Sequence, residues 1–302
     1  MTVHNKTRHC QIVDCTIRDG GLVNNWDFSV EFVQDLYEAL NEAGVEYMEV
    51  GYKNSPKLLK GSEDAGPWRF LNDDFLRKVI PEKKKTKLSA LVDVGRVDPD
   101  DILPRSESML DLIRVACYAR DTEKAIELAT MFHERGYETT INIMALSNVM
   151  DNELTESLAL ISDSPIDVVY IVDSYGSLDP DDFRYLVEKF RRSLKHKRLG
   201  VHTHNNMQLA LANTLTAAEM GVELLDASVY GMGRGQLPYG AAAGQAGEGR
   251  IQSASAARHD REAHGHAPRE RRVGLSHTIH GDGRAGRASS FGNGMARFLR
   301  EG

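Results

Sequence analysis

Two histidines separated by one residue, His202 and His204 in the run HTHNN, are the clearest chemical signal in the chain. The run closes an apolar, strand-like segment, so both imidazoles fall on one face of a strand end. At that spacing their Cα atoms lie roughly 6.5 Å apart. Two ring nitrogens at about 2.1 Å from one ion can then chelate it from the same edge. A lone strand histidine is usually a satisfied structural residue; a pair at this spacing points to a metal. A second run, DCTIRDGG at residues 14–21, supplies partners. Asp14, Thr16 and Arg18 share a face if the strand runs through them, and Asp19 follows as it ends. Gly20-Gly21 would then allow a tight turn.

Asp19 is the candidate third ligand. Two neutral imidazoles and a carboxylate leave open positions on a divalent ion, where a 2-oxo acid or its enolate and a water can sit. Arg18 would add a fixed positive charge at the enolate oxygen. Such a site stabilises the carbanion formed when a carbon–carbon bond next to a 2-oxo acid is made or broken. The residues alone leave other readings open. Arg18 and Asp19 could be a simple ion pair, and the same triad suits a non-haem iron oxygenase. Glu49 in YMEVGY could orient a ligand or relay a proton, or be the buried partner of a base. Asp173 in YIVDSYG has the same ambiguity. Arg114 in LIRVACYA is a charge inside an apolar strand, which requires a polar site or a partner. Arg114 and Asp173 are taken as substrate-binding candidates at the mouth of the fold.

These residues need a frame. CQIVDCTI (10–17), EYMEVGY (46–52), KLSALVDVG (87–95), LDLIRVACYA (110–119), ETTINIMALS (138–147), DVVYIVDSYG (167–176), RLGVHTHNN (198–206) and ELLDASVYGMGRG (223–235) read as eight strands. Amphipathic helices separate most of them. Over 27–45, Phe28, Phe32, Leu36 and Leu40 recur every four residues before a Gly. DTEKAIELATMFHERG carries an Asp cap and a Gly stop. Further helices follow the fifth, sixth and seventh strands, and a longer insertion with KLLKGSEDAGPWRF separates the second from the third. Eight strand–helix units in about 230 residues predict a parallel α/β fold closed as a (β/α)8 TIM barrel, with a doubly wound open sheet as the alternative. In that barrel the candidate residues sit at the C-terminal strand ends. The helix after the eighth strand is abnormal or missing.

The chain has 302 residues, 41% hydrophobic and 27% charged, with a net charge of −7. This excludes a disordered or collagen-like chain and gives no support to a nucleic-acid partner. No apolar run is long enough to span a membrane, and the first residues lack a signal peptide's apolar core. Three cysteines make no disulfide framework, so a cytoplasmic protein with reduced thiols is expected. A homodimer is the base-rate expectation.

The average hides a break after Gly235. Residues 1–235 carry a charge of −11, and residues 236–302 carry +4. That last stretch holds no lysine, yet 12 of the 26 glycines and 5 of the 11 histidines, without apolar periodicity. We therefore divide the chain into a catalytic barrel, 1–235, and an atypical Gly/Ala/Arg/His-rich tail, 236–302. The tail reads as disordered, as a basic arm, or as the product of a shifted reading frame.

DCTIRDGG, HTHNN and GMGRG together resemble the metal-dependent TIM-barrel lyase and synthase superfamily, the 3-hydroxy-3-methylglutaryl-CoA lyase-like, pyruvate carboxyltransferase-type domains. RDGG followed by NNWDF looks most like its 4-hydroxy-2-oxovalerate aldolase-like branch. The resemblance covers residues 10–235. It implies Arg18 as catalytic arginine, Glu49 as the second-strand catalytic glutamate, Asp19, His202 and His204 as metal ligands, and Mn2+ or Mg2+ as the ion. It also implies an aldolase or lyase acting on a small 2-oxo acid. The alternatives are a Claisen-type acyl-CoA synthase of the isopropylmalate and homocitrate kind, or an inactive barrel that binds a metabolite or partner. Leu22 departs from the pattern. The synthases and the acyl-CoA lyase carry Gln there, and the hydroxyoxovalerate aldolases carry an acid/base His. The chain also reads as too short for the added C-terminal domains of those enzymes. After GMGRG the family runs on as AGN and a helix, whereas this chain has QLPYGAA. One codon choice for QLPYGAA, read one base later, gives NCPMELL, which restores the Asn and a helical start. Two later stretches of the tail can be recoded the same way, which supports the shifted frame.

Overall fold

The computed structural model describes residues 10–62 and 64–235. The proposed tail, the site of an eighth helix and the shifted frame lie outside the described residues. Eight parallel strands close into a barrel in the order β1 to β8, with β8 paired back to β1. They are β1 (Gln11–Asp14), β2 (Tyr47–Tyr52), β3 (Lys87–Asp93), β4 (Leu112–Cys117), β5 (Glu138–Ile143), β6 (Val168–Asp173), β7 (Arg198–Thr203) and β8 (Leu224–Ala227). The helices are α1 (Thr16–Asn24), α2 (Val30–Ala43), α3 (Asp73–Val79), α4 (Thr122–Glu134), α5 (Asp151–Ser162), α6 (Pro180–Ser193) and α7 (Ala210–Glu219). The closed ring excludes the open sheet. No described helix is long and apolar enough to cross a membrane.

Local chemistry explains the helix ends. Ser29 caps α2 by accepting from the Phe32 amide at 3.2 Å. Gly44 stops it in the left-handed region. Asp179 accepts from the amides of Asp181 and Asp182 ahead of Pro180, which fixes the start of α6. The apolar stripe Phe32, Leu36 and Leu40 is buried against the sheet. Inside the barrel, Val13, Cys15, Tyr47, Leu112, Val168, Tyr170, Val172 and Leu224 form a separate apolar layer. Tyr170 fills the space that a side chain at residue 200 would need: a Cβ on Gly200 would lie 2.4 Å from its ring.

Four expectations are corrected. Most strands end two to eight residues before the apolar runs do, because the chain leaves the ladder once it clears the mouth. Thr16 and Arg18 are not on β1: the strand stops at Asp14, and α1 begins at Thr16. Thr16 donates to Asp14 and accepts from the Val229 amide, which turns the chain off the sheet. Gly20 and Gly21 therefore lie inside a helix and make no tight turn. A Cβ on Gly21 would lie 2.0 Å from the Trp26 indole, so close packing, not turning, requires glycine there. Asp121 precedes α4 but its side chain caps no amide; a 3-10 turn, Ala119–Asp121, feeds the helix instead. Helix α3, within the insertion, was not foreseen. Its seven residues are too few to show a period, and Asn72 caps it at the Phe75 amide.

Candidate metal centre

Asp19, His202 and His204 come together at the C-terminal end of the barrel. One ligand atom from each lies within 4.8 Å of the others, and all three residues are buried. His202 is on β7, His204 lies just past its end, and Asp19 is in the first turn of α1. The amide of Arg234 donates to Asp19 Oδ2 at 3.1 Å. Gly233 must be glycine beside it, with φ +108° and no room for a Cβ against Asp19.

The hydrogen bonds fix how the rings face. His204 Nδ1 lies 2.7 Å from the Asp173 carbonyl oxygen, which can only accept, so Nδ1 carries the proton. His202 Nδ1 lies 2.6 Å from Asp226 Oδ2. Burial and the Arg18 charge hold His202 neutral, its pKa lowered to about 4 despite the Asp226 contact. Burial would raise Asp226, but Arg114 and His202 outweigh it and bring it down to about 2. An ionised Asp226 accepts, so the neutral His202 carries its proton on Nδ1 as well. The two Nε2 atoms then face each other at 3.3 Å, with Asp19 Oδ1 at 3.6 Å from His204 Nε2. Burial works against ionising Asp19 too, yet the Arg18 guanidinium holds its carboxyl well below the usual range. Lone pairs facing one another beside a carboxylate call for a positive centre between them, a proton or a metal ion. Ligands at about 2.1 Å from one ion are at most about 4.2 Å apart, which both separations satisfy. The donor set therefore fits a divalent cation, and the outer partners Asp226 and Asp173 are those that orient metal-bound histidines.

Arg18 lies against this set. Its Nη1 donates to Asp19 at 2.9 Å and its Nε to Glu49 at 2.6 Å. Its Nη2 is 3.4 Å from both ring nitrogens of His202, so it lies over the ring and not along a lone pair. Trp26 Nε1 donates to the Arg18 carbonyl at 2.9 Å, which ties NNWDF to the site.

The other candidates fall behind the donor set. Glu49 is buried between Arg18 and Arg114. Arg114 is fully buried in mid-strand, short of the mouth, over the Tyr170 ring and paired with Glu49 and Asp226. Asp173 turns its carboxylate to the Ser177 amide, and its carbonyl serves His204. Leu22, on α1, is 42% exposed. The sequence reading missed Asp226. An acid inside the apolar run LLDA was the available signal, and it is the one that singled out Arg114.

The comparisons with known proteins agree with this geometry. The model of the HMGL-like family matches residues 9–264. A 4-hydroxy-2-oxovalerate aldolase of Thermus thermophilus is 31% identical over 75% of this chain and 65% of its own length. An oxaloacetate decarboxylase of Mycobacterium tuberculosis is 26% identical over 74% of this chain and 65% of its own. The chain thus spans about two thirds of the length of the curated relatives it matches. Among solved structures, the N-terminal domain of a candidate aldolase from Bacteroides vulgatus has a TM-score of 0.65 and 30% identity, covering 76% of this chain and 77% of that one. The carboxyl transferase domain of Rhizobium etli pyruvate carboxylase, at 16% identity and TM-score 0.64 over 82% of this chain and 44% of that one, shares the fold. With most of its length matched by the family model and an eight-stranded barrel beneath it, the chain belongs to the HMGL-like family.

Proposed function

We propose that this chain is a divalent-metal-dependent carbon–carbon lyase of the aldolase type, acting on a small 2-oxo acid. The observation that carries the proposal is the convergence of Asp19, His202 and His204 donor atoms beside Arg18. Bound there, Mn2+ or Mg2+ would supply Lewis-acid polarisation of a carbonyl oxygen. Arg18 stabilises the negative charge that develops on the enolate oxygen, in a buried setting where such donors are most effective. Glu49 holds the guanidinium by its Nε edge. Asp226 and the Asp173 carbonyl keep the imidazole protons on the outer nitrogens. In this reading Arg114 and Asp173 act from behind the site. We take 1–235 as the catalytic unit and 236–302 as a tail of atypical composition. The setting is cytoplasmic and the assembly a homodimer.

Leu22 favours a second reading within the same chemistry. Retro-aldol cleavage must take a proton from a hydroxyl, and a leucine offers no acceptor where the resembling aldolases carry histidine. Decarboxylation of an oxo acid reaches the same enolate without that proton transfer. The Mycobacterium tuberculosis relative is consistent with it.

The test is deuterium exchange into the pyruvate methyl group, followed by NMR in D2O. Exchange that needs added Mn2+ or Mg2+ and stops with a chelator is expected. No exchange with the metal-loaded protein would overturn the enolate reading. Aldehyde release from 4-hydroxy-2-oxo acids against CO2 release from oxaloacetate then separates the two reactions.

A further inference from the structure

We infer that Arg114 is a positioning residue that sets His202 and Arg18 in register through two buried carboxylates. The inference rests on the proposed metal site and adds the means by which it is held.

The geometry is a two-armed clamp. Arg114 Nη2 donates to Asp226 Oδ2 at 2.6 Å, and that same oxygen lies 2.6 Å from His202 Nδ1. Arg114 Nη1 lies 3.1 Å from Glu49 Oε1, and the other Glu49 oxygen accepts from Arg18 Nε at 2.6 Å. One guanidinium therefore reaches a metal-ligand histidine on one side and the arginine of the site on the other. All four side chains beyond Arg18 are buried, and Arg18 itself is only 4% exposed, so water does not substitute for a lost contact. The Tyr170 ring, with its centroid 4.3 Å from the guanidinium carbon, fixes the plane of the clamp. Gly200 makes room for that ring.

Arginine is required for geometric reasons. Two carboxylates on the strands that flank β1, Glu49 on β2 and Asp226 on β8, are met from β4 across the barrel interior. A planar guanidinium spreads its charge over separate nitrogens, so Nη2 donates to Asp226 while Nη1 pairs in charge with Glu49, whereas lysine presents one point charge. The charge sequence also alternates: Arg18, Glu49, Arg114, Asp226. The Asp226 oxygen that accepts from Arg114 is also the one on His202 Nδ1, so the guanidinium and the imidazole are held by one atom. An amide at residue 226 could donate to Nδ1. The proton would then move to Nε2, which could no longer ligate.

The experiment uses the full chain, with Mn2+ titrated by calorimetry and by the EPR signal of the free ion. Metal-dependent pyruvate exchange gives kcat and KM. D226N is expected to weaken Mn2+ binding 10–100-fold. E49Q is expected to change Mn2+ affinity less than about threefold while lowering exchange kcat at least tenfold, with KM nearly constant, because Glu49 holds Arg18 directly and reaches His202 only through Arg114 and Asp226. R114K should show both losses together, and R114K added to D226N should weaken Mn2+ less than R114K does in the wild type. Wild-type Mn2+ affinity in D226N and R114K would overturn the inference. So would a drop in D226N and E49Q that falls equally on affinity and kcat. If R114K fails to fold, the two near-isosteric variants decide alone. Absence of Mn2+ binding by the wild type, unchanged by H204A, would instead overturn the metal-site reading.

Discussion

Two buried charge networks meet β2, one at Glu49 within the strand and one at Lys53 just past its end, and they are built differently. One holds the insertion after β2. Asp73 Oδ1 accepts from the Ser108 hydroxyl and the Met109 amide, both at 2.6 Å, and Oδ2 accepts from Lys53 at 3.1 Å. Lys53 also donates to the Leu71 carbonyl. Both oxygens are satisfied, and the result fastens α3 to the rim. The other network joins Arg18, Glu49, Arg114, Asp226 and His202. It is more deeply buried, yet Glu49 Oε1, Arg114 Nε and Asp226 Oδ1 make no hydrogen bond, and neither does the neighbouring Asp173 Oδ2. Arg114 stands close enough to Glu49 Oε1 to pair in charge but off the N–H direction. Buried polar atoms are normally satisfied, and exceptions mark strain or function. The comparison teaches that a closed network serves the fold, whereas an open one that ends on lone pairs serves chemistry.

The comparison can be broken at its strongest point first. H204A removes one of three donors, and D19N removes the anionic one. Each is expected to abolish stoichiometric Mn2+ binding by calorimetry and to cut pyruvate exchange by more than about a thousandfold. Near-wild-type binding in both would end the distinction. R18K is expected to lower exchange kcat by roughly 10²–10³-fold, the scale of losing one oxyanion donor. Mn2+ affinity should stay within a few fold, since no Arg18 atom is a ligand. D73N, in the closed network, should do the reverse. It is expected to cost about 1–3 kcal/mol in urea unfolding, because buried donors lose an acceptor. The exchange rate per folded molecule should not change.

The smallest effect sharpens the comparison through pH. Burial pushes the Asp14 carboxyl up to about 7, against hydrogen bonds from Thr16 that lower it, with Glu49 and Asp226 adding to the rise. The unfolded chain releases that proton near 3.8 and the folded one holds it to about 7. Unfolding therefore gains on folding as pH rises from about 4 to 7, and the penalty is constant above that. D14N removes the penalty. The melting temperature of the variant minus that of the wild type should rise between pH 4 and 7 and then level off. A flat difference would show that Asp14 titrates normally.

Much of the site was legible because its signals are local. His202 and His204 are two residues apart, Arg18 and Asp19 are adjacent, and both runs sit where apolar strands end. The strand–helix rhythm gave the barrel for the same reason, since each unit carries its own period. Legibility failed where a residue's role depends on a partner far along the chain. Glu49, Arg114 and Asp226 meet from β2, β4 and β8, and nothing in their own segments shows the meeting. The start of α1 was misread because Thr16 and Ile17 are β-prone. The contacts that turn the chain there come partly from Val229, 213 residues away.

The sequence by itself determined the kind of fold, the strand ends at which the candidate residues gather and the donor types they carry. Apolar periods, and the requirement that charges not be buried alone, are properties of the chain. The tertiary structure decided which atoms of those residues face one another. It put the protons of both histidines on their outer nitrogens, through the Asp173 carbonyl and Asp226. It also turned Arg114 from a residue of the mouth into one of the wall. Closing a ring of eight strands brings β2, β4 and β8 to one axis, and only closure makes those neighbours.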